Sequence, residues 1–266
     1  MRILSMRDRR RGHLDGRSVF LSASVPNRPG FPVDAHTEFV IEQAVVALVR
    51  TVLAESGRLV YGGHPTMSKL IAAVAPEYVS PTLGDTNRSI TIYQSRYFSS
   101  VIPQETKDLE RLGYARIVLT DADPADRPFN PTVREEQGLK SLEAMRTAMV
   151  KDARPIVMLA IGGMEGIYRE AMLFSQYARG GATFALETTS AAARHLARGT
   201  ARLEGHTVPQ AYSLEREWMK ATGAKIELVD GEPTSDRSRP FIPYLLMFQW
   251  LFEVLSNGVL EPRASV

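Results

Sequence analysis

The chain has no cysteine. That excludes disulfides, thiolate zinc sites and a cysteine nucleophile, and it fits a cytoplasmic protein. The five histidines are scattered, at 13, 36, 64, 195 and 206, with no H-E-x-x-H spacing, so neither a metal nor another cofactor is expected. Charge of one sign is also scarce. A net charge of +2 gives no field that would make nucleic acid the main partner. The familiar phosphate and hydrolase signatures are missing too. There is no G-x-x-x-x-G-K-[ST], no G-x-G-x-x-G after the first strand and no G-x-S-x-G nucleophile elbow. The most apolar stretch, FIPYLLMFQWLFEVLSNG (241–258), is shorter than a membrane span and is interrupted by Gln249 and Glu253. No membrane partner is expected.

What is present is an ordinary globular balance, 44% hydrophobic and 23% charged over 266 residues, enough chain to bury a sizeable core. The first 17 residues carry six arginines and two aspartates and lack the apolar region of a signal peptide. They read as a disordered basic tail or as the result of an upstream start, with Met6 as the alternative; a nucleic-acid arm is the other reading. Residues 18–230 read as the main domain, 231–240 (GEPTSDRSRP) as a linker, and 241–266 as an apolar helix and tail. That helix reads either as a core or capping helix packed on the domain, or as a dimer face.

Along the main domain, apolar runs alternate with helical periodicity. SVFLSAS, RLVY, SITIYQS, ARIVLT, RPIVMLAI and ATFALET read as strands. Helices are predicted over 34–56 with Asp34 as N-cap and Gly57 as the stop, from Pro65, after Pro103, over 132–152 and over 164–179. Two more are predicted near 190–198 and 209–222, with KIELV (225–229) as a candidate last strand. The alternation predicts an α/β protein with a doubly wound, mostly parallel sheet, helices on both faces and a C-terminal helical extension.

Two strand ends carry glycine pairs, Gly62-Gly63 and Gly162-Gly163. In such a sheet, ligands sit beyond the carboxyl ends of the strands. Glycine lets the chain bend and a ligand approach, and the next helix offers free N–H groups and a positive dipole end. Each pair is therefore either a tight turn or a phosphate-binding surface. Glu170 follows the second pair within the first turns of its helix. It is either an acid favoured by the helix dipole, or a carboxylate that bonds ribose hydroxyls and stabilises charge developing in glycosidic cleavage. Ser22, Ser24 and Arg28, in SASVPNR at the end of the first strand, read either as a polar loop or as phosphate and ribose ligands.

LVYGGHPTM followed by IGGMEGIYREA resembles the SLOG superfamily, a Rossmann-like group that includes the Smf/DprA and LOG proteins. The LOG members are cytokinin-activating phosphoribohydrolases with a P-G-G-x-G-T-x-x-E motif. Gly62, Gly63 and Met67 match the first motif; Gly162, Gly163, Gly166 and Glu170 match the second. The resemblance covers residues 18 to 190. It implies a Rossmann-like fold, a nucleotide or NAD-derived ligand, and a homodimer. It makes Glu170 and Arg146 the candidate catalytic pair. Arg146 lies in MRTAM and matches the family's lysine when aligned on Met149, or its catalytic arginine when aligned on the glycines. Departures are Ile161 for proline, an extra residue, Glu165, before Gly166, Ile167 for threonine, and His64 for a third glycine. Glu165, Gly166 and His64 are accordingly candidate ligand contacts. The departures resemble divergent families found beside TIR and Sir2 domains in bacterial conflict systems. That implies a sensor of a nucleotide signal, in defence or signalling, acting through a separate effector protein. The alternative is an N-glycosidase that cleaves the base from a nucleotide. VFLSAS also resembles the opening strand of TIR domains, which makes a TIR-like NADase the third reading.

Overall fold

A computed structural model of the chain describes residues 12–26, 35–79, 89–130, 132, 137–226, 228 and 241–258. Its frame is a seven-stranded sheet whose paired strands all run parallel. In chain order the elements are β1 (Ser18–Ser24), α1 (Ala35–Ala54), β2 (Arg58–Tyr61), α2 (Pro65–Tyr78), β3 (Ile90–Ser95), α3 (Gln104–Arg111), β4 (Ala115–Thr120), α4 (Leu139–Ala153), β5 (Val157–Gly162), α5 (Glu165–Tyr177), β6 (Ala182–Ala185), α6 (Ala191–Ala197), β7 (Arg202–Leu203), β8 (His206–Thr207), β9 (Tyr212–Ser213), α7 (Leu214–Thr222) and α8 (Tyr244–Ser256). The order across the sheet is β4-β3-β2-β1-β5-β6-β9. The chain winds outward from β1 to β4, then crosses back to lay β5 on the other side of β1. This is the doubly wound α/β architecture the alternation of apolar runs predicts.

The continuous apolar runs are explained by burial on both faces. In β5, Val157, Leu159 and Ile161 join a core with α1, α2 and α8, while Met158 and Ala160 join a second core with α4, α5 and α6. Alternation by two along a strand sends successive side chains to opposite layers. The buried face of α8 (Tyr244, Met247, Phe248, Leu251 and Phe252) belongs to the first core. Among the described residues no helix is long and apolar enough to cross a membrane.

Several boundaries differ from the sequence expectation. The stretch expected to be disordered does not extend over residues 12–17. Leu14 is completely buried, and its N–H donates to Glu55 O at 3.2 Å. Gly57 follows α1 as predicted, but the left-handed residue is Ser56, at φ 58°. Gly57 is needed for space, because a Cβ there would lie 2.5 Å from Leu14 Cδ1. Asp34, the predicted N-cap, lies outside the described residues. The helix expected from 132 starts only at Leu139, after Gly138 at φ 65°. Its first turn is held from outside by Asp126, whose Oδ2 accepts from Ser141 N at 2.7 Å and Ser141 Oγ at 2.6 Å. Residues 209–213, expected as helix, instead supply the edge strand β9. Lys225, Ile226 and Leu228 form no strand, and the rest of KIELV lies outside the described residues.

Candidate functional site

The neighbouring strands β1 and β5 lead their connections in opposite directions, which opens a crevice at their carboxyl ends. A cleft of about 830 Å³ occupies that position. Its floor is a three-residue contact. Ser22, at the end of β1, donates through Oγ to Glu170 Oε2 on α5. Arg146 Nε, from α4, donates to Glu170 Oε1 at 3.3 Å. The pair is mostly shielded, with side-chain exposures of 16% for Arg146 and 14% for Glu170. Of the two registers open to Arg146, the structure puts its guanidinium against Glu170 and over Gly166, where a Cβ would lie 3.1 Å from Nη2. Gly166 thus makes room for the arginine.

Ser24, Glu165 and Gly166 also line the cleft. The amides of Glu165 and Gly166 sit in the first turn of α5, where the helix offers no carbonyl one turn back. The two glycine pairs do different jobs. Gly62, Gly63 and His64 line the cleft wall. Gly162 and Gly163 lie behind it. Gly162 N–H donates to Thr189 Oγ1 at 2.8 Å and Gly163 N–H to Ser24 O at 2.8 Å, so both amides serve the fold. Both residues are left-handed, at φ 60° and 74°, and a Cβ on Gly162 would come 2.5 Å from Ile41 Cδ1. Arg28 lies outside the described residues.

His64 precedes Pro65 at the start of α2. Among the described residues its Nδ1 is buried without a hydrogen-bond partner, and burial pushes the imidazole pKa down. The ring is therefore neutral at pH 7, a polar atom at the cleft with an unmet bond.

Some cleft residues escape sequence reasoning. Gln94, at the end of β3, donates from Nε2 to Gly62 O at 2.9 Å and so shapes the first glycine turn. The strand-end argument applied to Ser22 would have found it. Arg169 on α5 pairs with Glu204 in the β7–β8 turn, and Arg202, Leu203 and Glu204 bring that hairpin to the cleft. Phe98 and Phe129 reach it from segments with no periodic signal.

Gly62 and Gly63 respond differently to a methyl group. Gly63→Ala forces a φ of 65° on an alanine and drives the Cβ into Gln94 Nε2 and to 2.9 Å from Ile92 Cγ2. The expected loss is about 2 kcal/mol. Among the described residues Gly62→Ala meets only Met145 Cε, at 3.6 Å, and should change stability by less than about 0.5 kcal/mol. Urea unfolding of the two variants checks this.

Fold and site together define an α/β protein with a cleft at the crossover point of a parallel sheet. The chain belongs to the SLOG cluster3 family, whose sequence model matches residues 33–212. The sheet of the described residues is the Rossmann-like one that the resemblance implied. Among solved structures, the structural-genomics target TM1055 aligns with a TM-score of 0.44 at 12% identity, covering 78% of this chain and 99% of its own. No curated protein matches the chain.

Proposed function

We propose that the cleft binds a nucleotide or NAD-derived ligand. The observation that carries this reading is Glu170, held between Ser22 Oγ and Arg146 at the cleft floor, in the second turn of a helix whose N-terminus opens into the same space. An anionic phosphate suits the start of α5, where amides and helix dipole favour negative charge. The Glu170 carboxylate, with lone pairs beyond those its two partners use, suits ribose hydroxyls. In this reading the protein is a sensor of a nucleotide signal. Family resemblance supports a homodimer and a separate effector in defence or signalling.

The shielded carboxylate also favours a second reading, hydrolysis of the N-glycosidic bond. Water attacks C1′, the C1′–N bond breaks, and the base leaves with its electron pair and takes a proton. Glu170 stabilises the positive charge on the sugar, and Arg146 holds the carboxylate in place. Calorimetric titration with AMP, nicotinamide mononucleotide and NAD, followed by chromatography for free base, separates the readings. Binding without base release supports the sensor, and release of base supports the hydrolase. Absence of both across that set overturns the proposal.

A further inference from the structure

The cleft has a second end, chemically unlike the first. Phe98 and Phe129 line it with Val101, Leu139 and Leu142. Phe98 and Phe129 stand edge to face with centroids 5.7 Å apart, and Tyr97 packs edge-on to both, at 4.8 and 5.9 Å. Val101 and Leu139 leave about half their surface exposed. Among the described residues the polar side chain within this stretch is Gln137, and its amide is already engaged. Oε1 accepts from Asn130 N at 2.9 Å and Nε2 donates to Asn130 O at 2.8 Å.

The aromatic end is also preset. Phe98 lies in a short 3₁₀ segment, Arg96–Val101, started by Ser95, whose Oγ accepts from Tyr97 N at 3.2 Å. Phe129 lies in the loop after β4, which is tied to α4 by Asp126, by Ser141 Oγ accepting from Asp123 N at 2.9 Å, and by Gln137. Gly138 lets α4 begin against the rings, since a Cβ there would be 2.5 Å from Tyr97 Cδ1. Rings held in this way present faces and edges without ordering on binding, which favours affinity.

Resting on the nucleotide reading, we infer that Phe98 and Phe129 form the platform for the ligand's planar base, while its ribose and phosphate occupy the Ser22–Glu170–Arg146 end of the same cleft. A phosphate would be unpaired among these apolar side chains. A flat ring loses little by leaving water and gains stacking. The base is then recognised by area and shape rather than by a hydrogen-bond pattern.

The test compares AMP and nicotinamide mononucleotide with baseless ribose 5-phosphate, by calorimetry on the full chain and its Phe98→Ala and Phe129→Ala variants. AMP or nicotinamide mononucleotide should bind the variants about tenfold or more weakly, with ribose 5-phosphate unchanged. The two nucleotides distinguish a purine from a pyridine ring. Undiminished nucleotide affinity in both variants overturns the platform while the nucleotide reading stands. A wild-type chain that binds none of the three, and NAD no better, overturns the nucleotide reading, and the platform with it. If an alanine variant also loses ribose 5-phosphate, Phe98→Leu and Phe129→Leu decide. They keep apolar bulk without the ring, and wild-type nucleotide affinity in them overturns the platform.

Discussion

Glu170→Gln is expected to weaken nucleotide binding by about 10- to 100-fold while the protein stays folded. A hydrogen bond to a charged group is worth about 1.5–3 kcal/mol, and glutamine removes the charge without removing the volume. The Ser22 hydroxyl can still donate to the amide oxygen, or rotate and accept from its nitrogen. Arg146 fares worse. Its Nε now faces either a neutral oxygen or an amide N–H, and its guanidinium stays close to Gly166 without a carboxylate partner there. The ribose and phosphate end of the ligand should feel the change. If the protein hydrolyses a nucleotide, base release should fall by 10² or more, because a neutral amide cannot match the charge on the sugar. A circular dichroism melt beside the titration separates lost function from lost fold. Wild-type affinity together with wild-type turnover in Glu170→Gln would remove Glu170 from the site.

The reach of the sequence can be judged from particular residues. The fold was legible because burial on both faces leaves an unmistakable trace. VMLAI cannot be half-exposed, and RLVYGGHP names both a strand end and a helix start. Ser22, Arg146 and Glu170 are 124 and 24 residues apart in sequence, yet strand-end and helix-start arguments put Ser22 and Glu170 near the same edge, the family resemblance singled out Arg146, and the structure brings the three into contact. The aromatic end was not legible. Phe98 and Phe129 lie in segments whose position depends on capping bonds from distant residues such as Ser141 and Gln137, and no local period marks them. The two glycine pairs looked equivalent in sequence. What separates them is which partner their amides find, and Thr189 comes 27 residues after Gly162.

That partner belongs to a turn that carries a buried acidic cluster, and it is there that the largest pH-dependent effect on stability is expected. Glu187 is 2% exposed and pairs with Arg198 at 3.1 Å and with Arg216. Burial pushes its pKa up, but hydrogen bonds from Arg216, Ser213 and Arg198 outweigh that and bring it down to about 2, from 4.5. The folded protein therefore keeps Glu187 ionised where the unfolded chain takes up a proton. The stabilisation is complete above about pH 4.5 and is lost as pH falls toward 2. A shift of that size corresponds to about 3 kcal/mol, reduced to about 2 because Arg198 and Arg216 reach solvent. Glu215 beside it acts in the opposite sense. It is completely buried, and burial raises its pKa against bonds accepted from Thr188 and Glu187. Its contribution is present at low pH and lost as pH rises through the raised value. Urea midpoints at pH 3, 5 and 7 should thus show Glu187→Gln weaker than wild type by about 2 kcal/mol at pH 7, with the difference shrinking at pH 3. Glu215→Gln should lose less stability than wild type between pH 5 and 7. Equal pH profiles for wild type and Glu187→Gln would mean the ion pairs contribute nothing. The consequence reaches the ligand. The turn Glu187–Thr189 holds Gly162 through Thr189 Oγ1, and Gly163 is anchored to Ser24, so a loosened acidic cluster frees the backbone that places Ser24 and the start of α5 at the cleft.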